Sequence, residues 1–321
     1  MVEQTDTGDI LLTHNLTKRY GDLVAVDNLN LSIHRGEVFG LLGPNGAGKT
    51  TTILMLLGLT EPSSGGAFID GLDCARQTIE VKRFVGYLPD NVGFYNDLSG
   101  MENLMFTAAL NGLSEAEGKE RAKELLARVV LSDVADNRVG TYSRGMRQRL
   151  AIADILMKDP KVIILDEPTL GIDPEGMREL LVLIRELSEK DGRTVVVSSH
   201  QLHQVQQICD RVGLFVKGRL IAHGRIEELA RQLSDEAGTQ IEVSVFGDLD
   251  KLEKTLSEHE LVESVTREND LLLTRSSSDI RARLAADIIG MGFELSHLRL
   301  RSGDLDEIYQ RYFEKEERSG E

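Results

Sequence analysis

Short apolar runs alternate with amphipathic stretches from residue 9 to about residue 233. Three runs, at 37–42, 162–166 and 194–198, are followed at once by polar or glycine-rich sequence, which is typical of buried strands. Their alternation with helical stretches predicts a mostly parallel sheet flanked by helices. Because ligands of open α/β sheets gather at the carboxyl ends of the strands, the residues after these runs are the first candidates for chemistry.

Two other parts of the chain have different patterns: the stretch between the first and second runs, and the residues after 233. Residues 98–157 are predicted to form a helical subdomain, since the segment 117–130 has amphipathic spacing in a charged frame. The stretch SDEAGTQ, residues 234–240, is predicted to be a linker. The sequence after it predicts strand, helix, strand, strand, helix and strand at 241–246, 249–258, 262–267, 271–275, 279–291 and 293–300, and a last helix near 304–313.

This β-α-β-β-α-β order is the ferredoxin-like pattern. The expected organisation is therefore an α/β domain over residues 9–233 and a small C-terminal α+β domain over residues 234–315. The second domain contains no nucleophile arrangement, metal cluster or glycine-rich loop in its sequence. A regulatory or dimer-stabilising role is the hypothesis for it.

The strongest local motif is GPNGAGKT at residues 43–50, which fits G-x-x-x-x-G-K-[ST] between a predicted strand and a predicted helix. Its glycines let backbone N–H groups turn toward an anion, and the helix N-terminus adds its positive dipole end. Lys49 supplies a full charge for the β- and γ-phosphates, and the Thr50 hydroxyl suits Mg²⁺. The sequence therefore predicts an MgATP site formed by Gly43, Pro44, Asn45, Gly46, Ala47, Gly48, Lys49, Thr50 and Thr51.

Two adjacent carboxylates, Asp166 and Glu167, end the apolar run at 162–166. Adjacent strand residues point to opposite faces, so we expect Asp166 to hold Mg²⁺ and Glu167 to orient and polarise the attacking water. His200 follows another apolar run and could hydrogen-bond the γ-phosphate. Alone, an Asp-Glu pair could equally cap a helix, and a single histidine after a strand is more often structural. Beside a phosphate loop, the catalytic interpretation is favoured.

Composition excludes several classes of protein. The chain has 321 residues and a net charge of −16, which disfavours an electrostatic grip on nucleic acid, so no nucleic-acid partner is expected. Cys74 and Cys209 lie far apart without metal-ligand spacing and are expected to be free thiols. No apolar stretch approaches the ~20 residues needed to cross a bilayer, and the N-terminal sequence lacks a secretion-signal pattern. The chain is therefore expected not to span a membrane by itself.

The segment YSRGMRQRL, residues 142–150, resembles the signature motif of ATP-binding-cassette (ABC) proteins, in the form seen in ABC-2-class exporters. Other motifs follow in family order. Tyr20 is similar to the aromatic that stacks on adenine, VGYLPD at 85–90 resembles the Q-loop, and PTLGIDP at 168–174 resembles the segment ending in the D-loop, with Asp173 as its aspartate. Ser199-His200 resembles the switch histidine. The segment 86–100 is also similar to subunits that serve copper-site maturation of nitrous oxide reductase.

The resemblance implies a P-loop NTPase of ABC type that hydrolyses ATP. It implies that two copies pair head to tail, each ATP lying between the phosphate loop of one copy and Ser143, Arg144 and Gly145 of the other. Ser143 is also a good N-cap for a helix that would present its N–H groups to a γ-phosphate. The expected partners are a second copy and a separate integral-membrane permease. The chain would then be cytoplasmic, on the inner face of the cell membrane, and would energise export.

The Q-loop and the signature depart from the family pattern. Asp90 stands where the Q-loop usually has a glutamine that contacts Mg²⁺; a carboxylate can ligate the ion but is shorter and adds negative charge. In the common signature Leu-Ser-Gly-Gly-Gln, Arg144 replaces the first glycine and Met146 replaces the glutamine. Arg144 is expected to face solvent, although it could add a cation. The alternative functions are ABC-type ATPases without a transport role, acting in assembly or in ribosome or nucleic-acid remodelling; the single cassette and the acidic charge disfavour the latter.

Overall fold

The computed structural model describes residues 8–237 and 239–301, together with residues 308, 309, 312 and 313. The chain divides into two compact units between His223 and Gly224. The helix predicted near 304–313 lies largely outside the described residues.

The first unit contains two sheets. Their strands are β1 (Asp9–Tyr20), β2 (Leu23–His34), β3 (Val38–Leu42), β4 (Ser64–Ile69), β5 (Leu72–Asp73), β6 (Val85–Leu88), β7 (Val162–Asp166), β8 (Thr194–Ser199), β9 (Arg211–Val216) and β10 (Arg219–Gly224). One sheet is antiparallel, in the order β2-β1-β4-β5. The other has six strands in the order β10-β9-β3-β8-β7-β6.

The six-stranded sheet confirms the mostly parallel arrangement expected from the apolar runs. Strands β6, β7, β8, β3 and β9 pair in parallel. Every residue of β3, β7 and β8 is buried, as expected of strands covered on both faces. Because these three strands run in the same direction, the segments that follow them meet at one edge of the sheet.

The described residues of this unit also form seven α-helices, which lie between the strands along the chain: α1 (Lys49–Leu56), α2 (Thr78–Phe84), α3 (Gly100–Leu110), α4 (Glu115–Arg128), α5 (Arg144–Leu156), α6 (Pro174–Glu189) and α7 (Leu202–Val205). Helices α3, α4 and α5 occupy the stretch 98–157. Each begins at a serine N-cap that accepts a backbone N–H from the first turn. Helix α1 packs between the two sheets, where Ile53, Phe39 and Leu11 belong to one fully buried apolar cluster.

The second unit contains α8 (Ile226–Ala237), β11 (Thr239–Phe246), α9 (Leu249–Ser257), β12 (Ser264–Glu268), β13 (Leu271–Ser276), α10 (Arg281–Gly290) and β14 (Glu294–Arg301). Its antiparallel sheet has the order β12-β13-β11-β14. From β11 onward the predicted β-α-β-β-α-β order is confirmed. The sheet and α9 and α10 share an apolar core that includes Val243, Leu252 and Leu284.

The predicted linker at 234–240 is wrong. Helix α8 continues to Ala237, and β11 already begins at Thr239. The reason is local: the sequence IEELARQLSDEA has no helix breaker before Gly238. The predicted domain boundary near Leu233 therefore falls inside a helix, whereas the division into compact units falls just before it.

Candidate nucleotide site

The segments that follow β3, β7 and β8 surround an open cavity of about 890 Å³ in the first unit, a volume suited to a nucleotide. Most of the residues predicted from the sequence to bind MgATP line it. The lining residues are Tyr20, Leu23, Val24, Ala25, Asn45, Gly46, Ala47, Gly48, Lys49, Thr50, Thr51, Tyr87, Asp90, Asp166, Glu167, Leu170, His200 and Lys217. Gly43 and Pro44, although predicted as ATP-binding, do not line it.

The phosphate loop leaves the start of α1 open toward the cavity. Gly48 occupies the N-cap position with a φ of 100°, and no side chain caps the helix. A Cβ at Gly48 would lie 2.5 Å from the carbonyl oxygen of Ala25, so only glycine fits this approach of loop to strand. The first N–H groups of a helix lack intrahelical acceptors, so this end is suited to an anion.

Lys49 is held against its own loop. Its Nζ donates to the carbonyl oxygens of Gly43 and Pro44, at 2.7 and 3.2 Å, and lies 3.6 Å from Oε1 of Glu167. Gly43 and Pro44 therefore act on the loop through the lysine. Burial lowers the pKa of Lys49, and the charge of Glu167 opposes that shift. The ammonium group thus has protein partners, which a phosphate could replace.

Asp166 receives two hydroxyl groups. Thr50 Oγ1 donates to Oδ2 at 3.1 Å, and the Ser198 hydroxyl donates to Oδ1. Adjacent ligands of an octahedral Mg²⁺ with 2.1 Å bonds stand about 3.0 Å apart, so the Thr50 and Asp166 oxygens have a spacing that fits this ion. Hard oxygen donors beside a phosphate site are also the chemistry that Mg²⁺ prefers.

Glu167 faces different partners from its neighbour Asp166. It is a non-glycine residue in the left-handed region, with a φ of 49°, a conformation that clusters at functional sites. Its N–H donates to the Ser198 carbonyl at 3.0 Å. Its Oε2 lies 2.9 Å from Nδ1 of His200 and 3.4 Å from the His200 backbone nitrogen. The carboxylate therefore joins Lys49 and His200 in one array.

The predicted adenine-stacking residue, Tyr20, also lines the cavity. It lies at the end of β1, and its side chain is 49% exposed, which leaves ring surface available for stacking. The ammonium group of Lys18 lies 4.9 Å from the ring centre. Asp90 lines the cavity too, as the Q-loop resemblance implied.

Several lining residues were not predicted from the sequence. Leu23, Val24 and Ala25 begin strand β2, and Lys217 lies in the turn between β9 and β10. Tyr87 also lines the cavity. It lies in the VGYLPD segment, whose resemblance to the Q-loop could have identified it as a site residue. Burial, together with Asp166 and Asp90, raises the pKa of Tyr87 to about 12. Its hydroxyl therefore keeps its proton at neutral pH.

The signature and D-loop residues lie outside this cavity's lining. Ser143 is the N-cap of α5, where its hydroxyl accepts the Met146 N–H at 3.2 Å. Asp173 caps α6 and accepts the Gly176 N–H at 3.1 Å. Gly145, in the first turn of α5, is buried. These residues are thus ordered at helix starts without contributing to the cavity of their own chain.

Arg144 is exposed, as expected, but it does not simply extend into solvent. A Cβ at Gly171 would lie 2.7 Å from its Nη1 and 3.0 Å from its Cζ, so the guanidinium group rests on the Gly171 backbone. Gly171 belongs to the PTLGIDP segment, and its φ is +70°. The signature and the segment before the D-loop therefore touch within one chain.

The fold and this cavity define a P-loop ATPase of the cassette type. The family model described as ABC transporter matches residues 26–170. The linearmycin resistance ATP-binding protein LnrL of Bacillus subtilis is 39% identical over 235 residues, covering 73% of this chain and 75% of its own. The bacitracin transport ATP-binding protein BcrA of Bacillus licheniformis is 40% identical over 235 residues, covering 71% and 76%. The uncharacterized ABC transporter ATP-binding protein YxlF of Bacillus subtilis is 35% identical over 302 residues, covering 94% and 98%.

Solved structures agree at the level of the fold. CbiO1 of Clostridium perfringens, part of the transporter complex cbiONQ, has a TM-score of 0.64 at 32% identity, covering 71% of this chain and 95% of its own. The ATP-binding cassette MJ0796, solved as a post-hydrolysis dimer bound to ADP and phosphate, has a TM-score of 0.61 at 27% identity, covering 67% and 98%. The chain belongs to the family of ABC transporter ATP-binding proteins, and it binds and hydrolyses ATP. In the described part of the chain, no helix has the length and apolar character needed to cross a bilayer.

Proposed function

We propose that this ATPase energises export through a separate permease of the ABC-2 class, and that two copies of the chain bind ATP between them. The names of its relatives, which include a bacitracin transport protein and a linearmycin resistance protein, support an export role. The copper-processing resemblance of segment 86–100 stays a prediction. With a membrane permease as its partner, the chain would lie at the face of the cell membrane that ATP reaches.

The observation that carries the paired arrangement is the position of the signature. Ser143, Arg144 and Gly145 lie outside the lining of their own cavity, although Ser143 starts a helix whose first N–H groups suit a phosphate. One copy thus offers a phosphate loop and a signature at separate places. The dimeric structure solved for the cassette MJ0796 supports joining them between two copies. The cavity would then be completed by the partner's helix α5.

The protein partners of Lys49 and Glu167 suggest the order of events. We propose that bound phosphates draw the Lys49 ammonium group away from the Gly43 and Pro44 carbonyls and from Glu167. The freed Glu167 carboxylate would then orient the attacking water and accept its proton, while His200 fixes that carboxylate through Nδ1. Thr50 and Asp166 would hold Mg²⁺, which would supply positive charge beside the phosphates.

Exposed apolar side chains on the same unit support a contact with the proposed permease. Tyr95, Phe106 and Leu110 are 55%, 44% and 72% exposed. Phe106 and Leu110 lie one turn apart on α3, and the Tyr95 ring meets the Phe106 ring edge-on at 5.1 Å. Tyr95 follows the Q-loop-like segment, so a partner bound here would contact the loop that carries Asp90. An apolar cluster of this kind is typical of an interaction surface.

Replacing Glu167 by glutamine tests the proposed roles. The shape of the side chain is kept, so the variant should still bind MgATP, whereas loss of a general base should slow hydrolysis about 10²- to 10⁴-fold. Size-exclusion chromatography should then show a stable dimer in MgATP and a monomer in MgADP. Glu186→Gln, at a half-buried position of α6 paired with Lys190, is the control and should behave as wild type. Normal turnover by the Glu167 variant, or a monomer in saturating MgATP, would contradict the proposal.

A further inference from the structure

One cationic residue among those described as lining the cavity, Lys217, lies outside all of the nucleotide-binding motifs. We propose that Lys217 binds the α-phosphate of the nucleotide and contributes affinity for ATP and ADP alike. Lys217 lines the cavity and lies at the turn between β9 and β10. The inference rests on the nucleotide site proposed above and adds a residue for binding, with no role in the chemical step.

The turn that carries Lys217 is fixed to the phosphate loop. The N–H of Gly218 donates to the Ala47 carbonyl at 3.1 Å, and the Gly218 carbonyl accepts the Asp27 N–H at 2.8 Å. A Cβ at Gly48 would lie 3.4 Å from the Gly218 Cα, so the turn and the start of α1 are in close contact. The backbone of this turn is therefore held against the loop that receives the phosphates.

The backbone of Lys217 itself is unusual. Its φ of 48° places a non-glycine residue in the left-handed region, which costs energy for residues other than glycine, asparagine and aspartate. Gly218, at +84°, continues the turn. Positive φ at both central residues is the geometry of a type I′ hairpin turn, and this turn places Lys217 at the cavity.

The position of the turn along the cavity selects the α-phosphate. Lys49, with Glu167 beside it, marks the end that receives the β- and γ-phosphates. Tyr20, the predicted adenine-stacking residue, would mark the nucleoside end. The Lys217 turn contacts Ala47 of the loop, and a Cβ at Gly218 would lie 2.9 Å from the Ala25 carbonyl of β2. The turn therefore packs on the part of the loop that precedes Lys49, and the phosphate expected there is the α-phosphate, which joins the nucleoside.

Charge balance also favours a cation here. Among the lining residues that the structure describes, the carboxylates are Asp90, Asp166 and Glu167, and the lysines are Lys49 and Lys217. The Lys49 charge is already close to Glu167, and the whole chain carries a net charge of −16. A polyphosphate approaching this acidic molecule gains from a second lysine.

Calorimetric titration of MgATP and MgADP into the full chain tests the inference. Asparagine tolerates the left-handed conformation, so Lys217→Asn removes the charge with the least backbone strain. We expect it to weaken both nucleotides equally, by about five- to twentyfold, with a loss that shrinks as salt is added. Lys217→Arg should retain most of the affinity. Lys123→Ala, at an exposed position of α4, is the control and should leave binding unchanged.

Steady-state kinetics separates binding from chemistry. Lys217→Asn should raise KM and leave kcat at saturating MgATP unchanged, as expected for an interaction made equally in ground and transition states. Unchanged affinity for both nucleotides would overturn the inference. A loss for ATP alone would also overturn it, since the cation would then act at the γ-phosphate. If wild-type protein bound neither nucleotide, the proposed site itself would fail, whatever Lys217 does.

Discussion

Alanine at Gly48 should disrupt the phosphate loop in a way that alanine at Gly46 does not. Both glycines have positive φ, 100° and 80°, so a side chain at either position pays about 1–2 kcal/mol for the left-handed conformation. A Cβ on Gly48 would lie 2.5 Å from the Ala25 carbonyl oxygen, whereas one on Gly46 would meet no heavy atom within 4 Å. The two variants therefore share the conformational strain and differ in the steric clash.

The size of the difference follows from what must move. The Ala25 oxygen belongs to the backbone of β2, which pairs with β1 along its length, so it cannot rotate away as a flexible side chain would. Relief of such overpacking costs about 1–3 kcal/mol. Gly46→Ala should thus lower the free energy of unfolding by about 1–2 kcal/mol, and Gly48→Ala by about 2–5 kcal/mol. At roughly 2–4 °C per kcal/mol, the Gly48 variant should melt several degrees below the Gly46 variant.

Differential scanning calorimetry without nucleotide measures this difference. The transition of the first unit is identified by its rise in MgADP, because a ligand of the folded state stabilises it. Equal melting temperatures for the two variants would refute the reasoning, since the contact with Ala25 would then cost nothing. A Gly48 variant that melted like wild type would refute the strain estimate as well.

Two further predictions concern the proposed site. Ser143→Ala removes the acceptor of the Met146 N–H and should lower the free energy of unfolding by about 1 kcal/mol, and Ser114→Ala at the start of α4 should lower it by the same amount. Only Ser143→Ala should abolish MgATP-driven pairing and hydrolysis. A Ser143 variant that still pairs and is active in an ATPase assay would contradict the proposed role. Burial lowers the pKa of Lys49 from 10.5, and bound phosphates should raise it again, so the complex holds more protons than the free protein and affinity should fall as pH rises through that lowered pKa. Calorimetry at a series of pH values up to 10.5, each in two buffers of different ionisation enthalpy, should show proton uptake on binding toward the upper end of the series. No uptake at any pH would contradict the assigned contact of Lys49 with phosphate.

The parallel sheet could be predicted because its strands are uninterrupted apolar runs. Strands β3, β7 and β8 are buried on both faces, so their sequences carry no polar position that would blur the pattern. The second unit was predictable for a related reason. The spacing of its apolar residues changes between the two-residue repeat of a strand and the 3.6-residue repeat of a helix from one segment to the next. The boundary between the units was not, because α8 has a polar, helix-forming sequence that composition alone does not distinguish from a linker.

Site residues could be predicted where they lie next to one another in the sequence. Asn45 through Thr51 lie within one motif, and Asp166 and Glu167 are adjacent, so the backbone that displays them is local in sequence. Leu23 and Lys217 reach the cavity only because β2 and the β9–β10 turn pack on the phosphate loop. Their identities, an aliphatic residue at a strand start and a lysine before a glycine, are ordinary for a strand and a turn. Nothing in the local pattern indicated the contact.

The side-chain contacts of the cavity bear on the proposed pairing of two copies around the nucleotide. The Lys49 ammonium group contacts the Gly43 and Pro44 carbonyls and the Glu167 carboxylate, and the Asp166 carboxylate accepts hydrogen bonds from two hydroxyl groups. These polar groups are satisfied without ATP, so phosphates must replace existing contacts, and the net gain from one copy's loop is smaller than its charges suggest. A second helix N-terminus, begun by Ser143 of the other copy, would add donors for which no contact in this cavity must be broken. If the two copies pair as proposed, the gain from pairing would depend on the γ-phosphate, and its loss on hydrolysis should release the two copies.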